Sequence, residues 1–88
     1  MRKIVASKHF QKKLSVFLKQ NPHLESKTLA TVSLMEKDLF SPSLRTHKLS
    51  GKLKMFHGSW INYYYRIVFL YDKNNVYLVN IGDHDEVY

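Results

Sequence analysis

Tyr63-Tyr64-Tyr65-Arg66-Ile67-Val68-Phe69-Leu70-Tyr71, then Asp72-Lys73-Asn74-Asn75, then Val76-Tyr77-Leu78-Val79-Asn80-Ile81 is the stretch on which the fold turns. Two runs rich in β-branched and aromatic residues flank a short polar connection, the pattern of two strands joined by a hairpin turn. Strand alternation over Asn62 to Tyr71 puts Tyr63, Tyr65, Ile67, Phe69 and Tyr71 on one face, which reads as the core side. Asn62, Tyr64, Arg66, Val68 and Leu70 take the other. Arg66 is a costly charge in mid-strand unless its position opens to solvent, an anion or a carboxylate. An anion clamp and a salt bridge to Asp83, Asp85 or Glu86 both meet that condition.

Working outward, Leu53 to Trp60 is another strand, interrupted by Gly58, and Arg2 to Ala6 is a short one that needs partners. Ser7 offers an N-cap oxygen to a helix whose apolar face is Phe10, Leu14, Phe17 and Leu18. That helix stops at Asn21, because Pro22 disfavours a helical residue before it. Asn21-Pro22 reads as the cap and first position of a second helix, with Glu25 in its first turn and a stripe of Leu24, Thr28, Val32, Met35 and Leu39. Ser41 to Ser50 is polar, contains Pro42 and gathers Arg45, His47 and Lys48 in a predicted loop. The order β-α-α-β-β-β predicts an α+β fold, a two-helix hairpin packed on a mostly antiparallel four-stranded sheet, in one domain spanning residues 1–88.

Composition narrows the function classes. No cysteine is present, which removes disulfides, thiolate metal sites and cysteine nucleophiles. No run approaches a membrane span, and the N-terminus lacks the apolar core of a signal peptide, so the expectation is a cytoplasmic protein. The formal charge is +7 and unevenly spread: residues 1–66 hold thirteen Lys or Arg against three acids, and residues 67–88 one Lys against four acids. Such a surplus on a small domain suits a polyanionic partner, nucleic acid or an acidic protein segment; lysines that merely solvate helix faces are the plain alternative.

Chemistry-bearing residues collect in the second half: His47, His57 and His84, with Arg66 and the terminal Tyr88. An imidazole gives or takes a proton near neutral pH, and an arginine beside it can hold a phosphate. No close histidine spacing of the HExxH kind occurs, so no metal and no cofactor is expected. Trp60 and the tyrosines are either packing or surfaces for stacking bases, and Tyr64, on the face of Arg66, is the better stacking candidate.

His47-Lys48-Leu49-Ser50-Gly51-Lys52-Leu53, Tyr65-Arg66-Ile67-Val68-Phe69 and Ile81-Gly82-Asp83-His84-Asp85-Glu86-Val87-Tyr88, in that order, resemble the RelE/ParE superfamily of toxins from type II toxin–antitoxin pairs. Within it the chain is most similar to the RelE/YafQ-like mRNA interferases. The resemblance implies a metal-independent endoribonuclease acting on messenger RNA, usually at the ribosome, in which a base activates the ribose 2′-OH against the adjacent phosphate. By the same resemblance Arg66 stabilises the added negative charge, His84 protonates the departing 5′-oxygen and Tyr88 stacks on or orients a base. His57 and His47 are candidates for the base, better suited to neutral pH than Lys52 or Lys54. Arg45, Lys48, Lys52, Lys54 and Tyr64 are the expected RNA contacts. The implied partners are a cognate antitoxin, in a hetero-oligomer, with a free toxin that is monomeric. Relatives often carry an acid where Tyr64 stands, which leaves a strand carboxylate without a counterpart. ParE-like relatives instead inhibit DNA gyrase, and a non-catalytic antitoxin-binding module is a third reading.

Overall fold

The structure, a computed structural model, describes residues 1–88. Its elements in chain order are β1 (Lys3–Ala6), α1 (Lys8–Gln20), α2 (Glu25–Lys37), β2 (His47–Lys48), β3 (His57–Trp60), β4 (Tyr65–Tyr71), β5 (Asn75–Asp83) and α3 (His84–Val87), with 3-10 turns at Pro22–Leu24, Pro42–Leu44 and Gly51–Leu53. The sheet has the order β1-β5-β4-β3-β2. Only the β1–β5 pair is parallel; the other three are antiparallel. The α+β architecture and the two-helix hairpin are as expected. The sheet has five strands rather than four, because His47 and Lys48 pair with Gly58 and His57 inside the expected loop. Two residues are too few for an alternating pattern to show.

Local chemistry sets the element ends. The Ser7 hydroxyl accepts from the Phe10 N–H at 3.1 Å and caps α1. Asn21 closes that helix and precedes the next helical segment at once: its side-chain amide donates to the Phe17 carbonyl at 3.0 Å, while its own carbonyl accepts from the Leu24 N–H at 2.9 Å and Pro22 starts a 3-10 turn that leads into α2. Asn62 likewise ends the expected strand early. Its side-chain oxygen accepts from the N–H groups of Tyr64 and Tyr65, so β4 begins at Tyr65, and Tyr63 lies in the turn, exposed, instead of on the core side.

Both helices cover one face of the sheet. Phe10 and Phe17 of α1 and Met35 of α2 pack on Ile67, Phe69, Leu78 and Ile81. Leu78 and Ile81 are an odd number apart, so a regular strand could not bury both. A bulge resolves this: Phe69 faces Leu78 while Val68 faces Asn80, which leaves Val79 as the extra residue. The same shift sets Gly82 opposite Arg66. The second face is covered only in part, by a small cluster of Leu49, Val68 and Val87.

A buried hydroxyl pair ties the loop after α2 to the sheet. Thr46 Oγ1 donates to the Leu39 carbonyl at 2.6 Å and meets the fully buried Ser59 hydroxyl at 2.8 Å. Thr46→Val strands the Ser59 hydroxyl and the Leu39 carbonyl, and is expected to cost about 1–3 kcal/mol. Thr46→Val with Ser59→Ala costs less than the two single losses together, and urea unfolding of the three variants measures both.

His57 packs against Phe69 at 6.0 Å and Tyr71 at 5.0 Å between ring centroids. Burial, and then the charges of Lys48 and His47, hold its imidazole below the ordinary 6.5. The unfolded chain therefore takes up a proton that the folded chain resists. Stability from this source is present above about pH 6.5 and declines as the pH falls through the folded value. Unfolding midpoints measured from about pH 8 down to pH 5 are expected to fall less steeply in His57→Gln than in the parent.

Candidate active site

Arg66 stands in β4 between two neighbours, opposite Trp60 on β3 and Gly82 on β5. Its guanidinium lies 4.1 Å from the Trp60 ring centroid. Nη1 donates to the carbonyls of Asn62 at 2.8 Å and Tyr63 at 2.7 Å, and at 3.3 Å to that of Tyr65. The residue is only 6% exposed, and its Nε has no partner. No carboxylate answers this cation. Asp83 and Glu86 are committed to a capping box, in which Asp83 Oδ1 accepts from the Glu86 N–H at 2.8 Å and Glu86 Oε1 from the Asp83 N–H at 3.1 Å. Asp85 lies 3.7 Å from His84 Nδ1. Of the two sequence readings of Arg66, the salt bridge is absent; Trp60 and three backbone carbonyls hold the guanidinium instead.

That capping box starts α3, which carries His84 and ends at Tyr88. Val87 anchors it in the cluster with Leu49 and Val68. The Tyr88 ring meets His84 edge-on at 4.6 Å and His47 at 6.0 Å, and its hydroxyl is 3.5 Å from His47 Nε2. Gly58 is the seat of this ring. A Cβ at that position would overlap the Tyr88 hydroxyl and come within 3.2 Å of the ring carbon bearing it. Burial pushes the Tyr88 phenol above its ordinary 10, and Arg66 beside it draws it partly back.

His47 Nδ1 lies 2.9 Å from the Arg45 carbonyl. A carbonyl only accepts, so Nδ1 carries the hydrogen and the lone pair sits on Nε2. Arg45 has a left-handed backbone, φ 48°, at the end of the 3-10 turn, and its guanidinium lies 4.6 Å from the Trp60 centroid. Trp60 thus carries two cations.

Arg45, His47, Trp60, Arg66, His84 and Tyr88 line one cleft of about 350 Å³. Trp60, Arg66 and His84 also wall a second cleft of about 480 Å³, completed by Tyr63, Tyr64, Asp83 and Asp85. The largest hollow, about 680 Å³ between α1 and the end of β5, contains none of the three. His57 stands apart: it packs with Phe69 on the helix-covered face. Lys48, Lys52 and Lys54 are exposed and line neither cleft. Sequence reasoning missed Gly58 and the role of Trp60 as a platform for cations. The interruption of a strand by a glycine was the visible signal for the first, and the even spacing from Gly58 to Trp60 put both on one face.

No three His, Asp or Glu side chains converge in a group able to hold a metal. No helix is long and apolar enough to cross a membrane. Solved structures share the fold over all or nearly all of the chain. A copper-bound mutant toxin from Helicobacter pylori is 26% identical with a TM-score of 0.77, each chain covered to 100%. The E. coli DinJ-YafQ complex contains a chain 14% identical, TM-score 0.81, with 100% of this chain and 99% of that one covered. A YoeB/ParE toxin from Agrobacterium tumefaciens is 12% identical, TM-score 0.73, with 93% and 98% covered. No curated protein matches the chain in sequence. The family model described as the bacterial YafQ toxin of type II toxin–antitoxin systems matches residues 2–88. With that match over nearly its whole length and the RelE-like fold around it, the chain belongs to the YafQ toxin family of type II toxin–antitoxin systems.

Proposed function

We propose that this toxin is a metal-independent endoribonuclease that cleaves messenger RNA, at the ribosome, in the cytoplasm. The observation that supports this most is the convergence of His47, Arg66, His84 and Tyr88, from β2, β4, α3 and the terminus, on one cleft. The scissile phosphate is placed on the cleft side of Arg66, whose charge no carboxylate neutralises.

His47 is the base. Its Nδ1–H is committed to the Arg45 carbonyl, so Nε2 is free to draw the proton from a ribose 2′-OH. The 2′-oxygen then attacks phosphorus, and Arg66 with Arg45 stabilises the added charge. As the bond from phosphorus to the 5′-oxygen breaks, His84 supplies the leaving oxygen's proton. The products are a 2′,3′-cyclic phosphate and a 5′-hydroxyl end. Tyr88, whose phenol is kept above its ordinary pKa by burial, packs its ring against His47 and offers a ring edge to a base. His57, on the other face, and Lys52 and Lys54, outside the cleft, take no part in proton transfer. Lys48, Lys52 and Lys54 serve as distant phosphate contacts. A free toxin is a monomer, and a cognate antitoxin, laying an acidic segment across the cationic surface, closes the cleft.

Removing the charge of Arg66 with its packing kept, as Arg66→Met, is expected to slow cleavage on the order of 100-fold, and His84→Gln by about 100-fold or more. Rates on ribosome-bound message and mapping of the new 5′ ends measure both. His47→Gln, which removes the accepting nitrogen, is expected to slow cleavage by about 100-fold or more. Folded single variants that cut at the parental rate would sink the mechanism, and gyrase poisoning without RNA cuts would put the ParE-like reading in its place. Association with the antitoxin is expected to slow several-fold as salt rises from about 0.05 to 0.5 M, read by stopped flow.

A further inference from the structure

Trp60, Arg66 and His84 form a wall common to two clefts, with His47 and Tyr88 on one side and Tyr63, Tyr64 and Asp85 on the other. Tyr63 and Tyr64 are 71% and 67% exposed, yet their turn is pinned. The Asn62 side-chain oxygen accepts from the N–H of Tyr64 at 3.0 Å and of Tyr65 at 2.9 Å, and Arg66 holds the carbonyls of Asn62 and Tyr63. The two tyrosine rings stand nearly perpendicular, 5.3 Å apart, and Tyr63 meets Trp60 edge-on at 5.9 Å. Exposed rings on a pinned turn have little backbone freedom left to lose on binding, as a stacking platform requires.

We propose that the second cleft is a nucleobase subsite for the nucleotide on the 3′ side of the cut, with the base stacked against the Tyr63–Tyr64 pair. The assignment of sides rests on the ribonuclease reading above. If His47 takes the 2′-OH proton, the 5′ nucleotide lies on the side of His47 and Tyr88. His84 protonates the departing 5′-oxygen and so marks where the 3′ nucleotide begins, and His84's other flank opens onto the tyrosines. The occupant is a base and not an acidic peptide, because the walls carry carboxylates. Asp83 is committed to the α3 cap, but Asp85 is not used in it. Asp85 is then the acceptor for an exocyclic amino group, which adenine, cytosine and guanine have and uracil lacks.

Binding tests this without requiring a cut. Labelled 2′-O-methyl RNA tetranucleotides, which lack the attacking hydroxyl, are titrated with the whole toxin and followed by fluorescence anisotropy. Tyr63→Ala combined with Tyr64→Ala is expected to weaken binding about tenfold or more, and the paired Phe replacements to bind as the parent does. Asp85→Asn is expected to erase a preference for an amino-bearing base over uracil at the 3′ position. Parental affinity in the double alanine variant overturns the subsite, and a parent indifferent to uracil overturns the role of Asp85. Cleavage separates the two readings. A double alanine variant that cuts with the parent's rate and base spectrum rejects the subsite and leaves the nuclease intact. A parent that never cuts RNA, but whose binding needs the tyrosines, keeps the platform and removes the nuclease.

Discussion

Arg66 is a buried cation with no carboxylate to neutralise it. Its position is set by stacking on Trp60 and by three backbone carbonyls, two of them in the turn before β4. An isolated charge in this place would be expensive, and carbonyl dipoles with an aromatic face offset only part of that expense. The remainder is what the proposed phosphate would offset. Both clefts open onto this guanidinium, so the geometry of the site is the geometry of its support.

Around that charge the fold makes several separate arrangements agree. A bulge in β5 lets Leu78 and Ile81 both reach the helices and at the same time brings Gly82 opposite Arg66. Two acids that could have paired with the arginine are diverted into the cap of α3. Their diversion has a second effect, because the cap starts the helix that holds His84 and Tyr88. The Thr46–Ser59 hydroxyl pair secures the segment on which Arg45 and His47 ride. Each device is local, and each also serves packing or backbone satisfaction, so the site is built from ordinary structural parts.

Tertiary neighbours distinguish the two histidines considered for the proposed base. His47 and His57 are chemically alike and lie in one stretch of sequence. His57 points into the helix-covered side against Phe69 and Tyr71, where burial and nearby cations disfavour its charged form. His47 sits at the sheet edge, with one nitrogen bonded to a carbonyl and the other facing Tyr88.

Much of this was legible in the sequence. Period-two and helical patterns in Ile67 to Tyr71 and Phe10 to Leu18 gave the layers, because burial of one face depends only on local spacing. The family was readable from three short segments, and the structure brings Arg66, His84 and Tyr88 of those segments to one cleft. What tertiary structure alone decided was pairing and direction. The two-residue strand at His47 has no periodicity to read, since its pairing energy comes from β3. Asn62 could equally have continued a strand, and only its side-chain bonds to Tyr64 and Tyr65 turned Tyr63 outward. The choice between a salt bridge and an open cation at Arg66 depended on where Asp83 and Glu86 spent their oxygens. Such contacts join residues distant in sequence or compete between local partners, and composition and periodicity carry no record of which competitor wins.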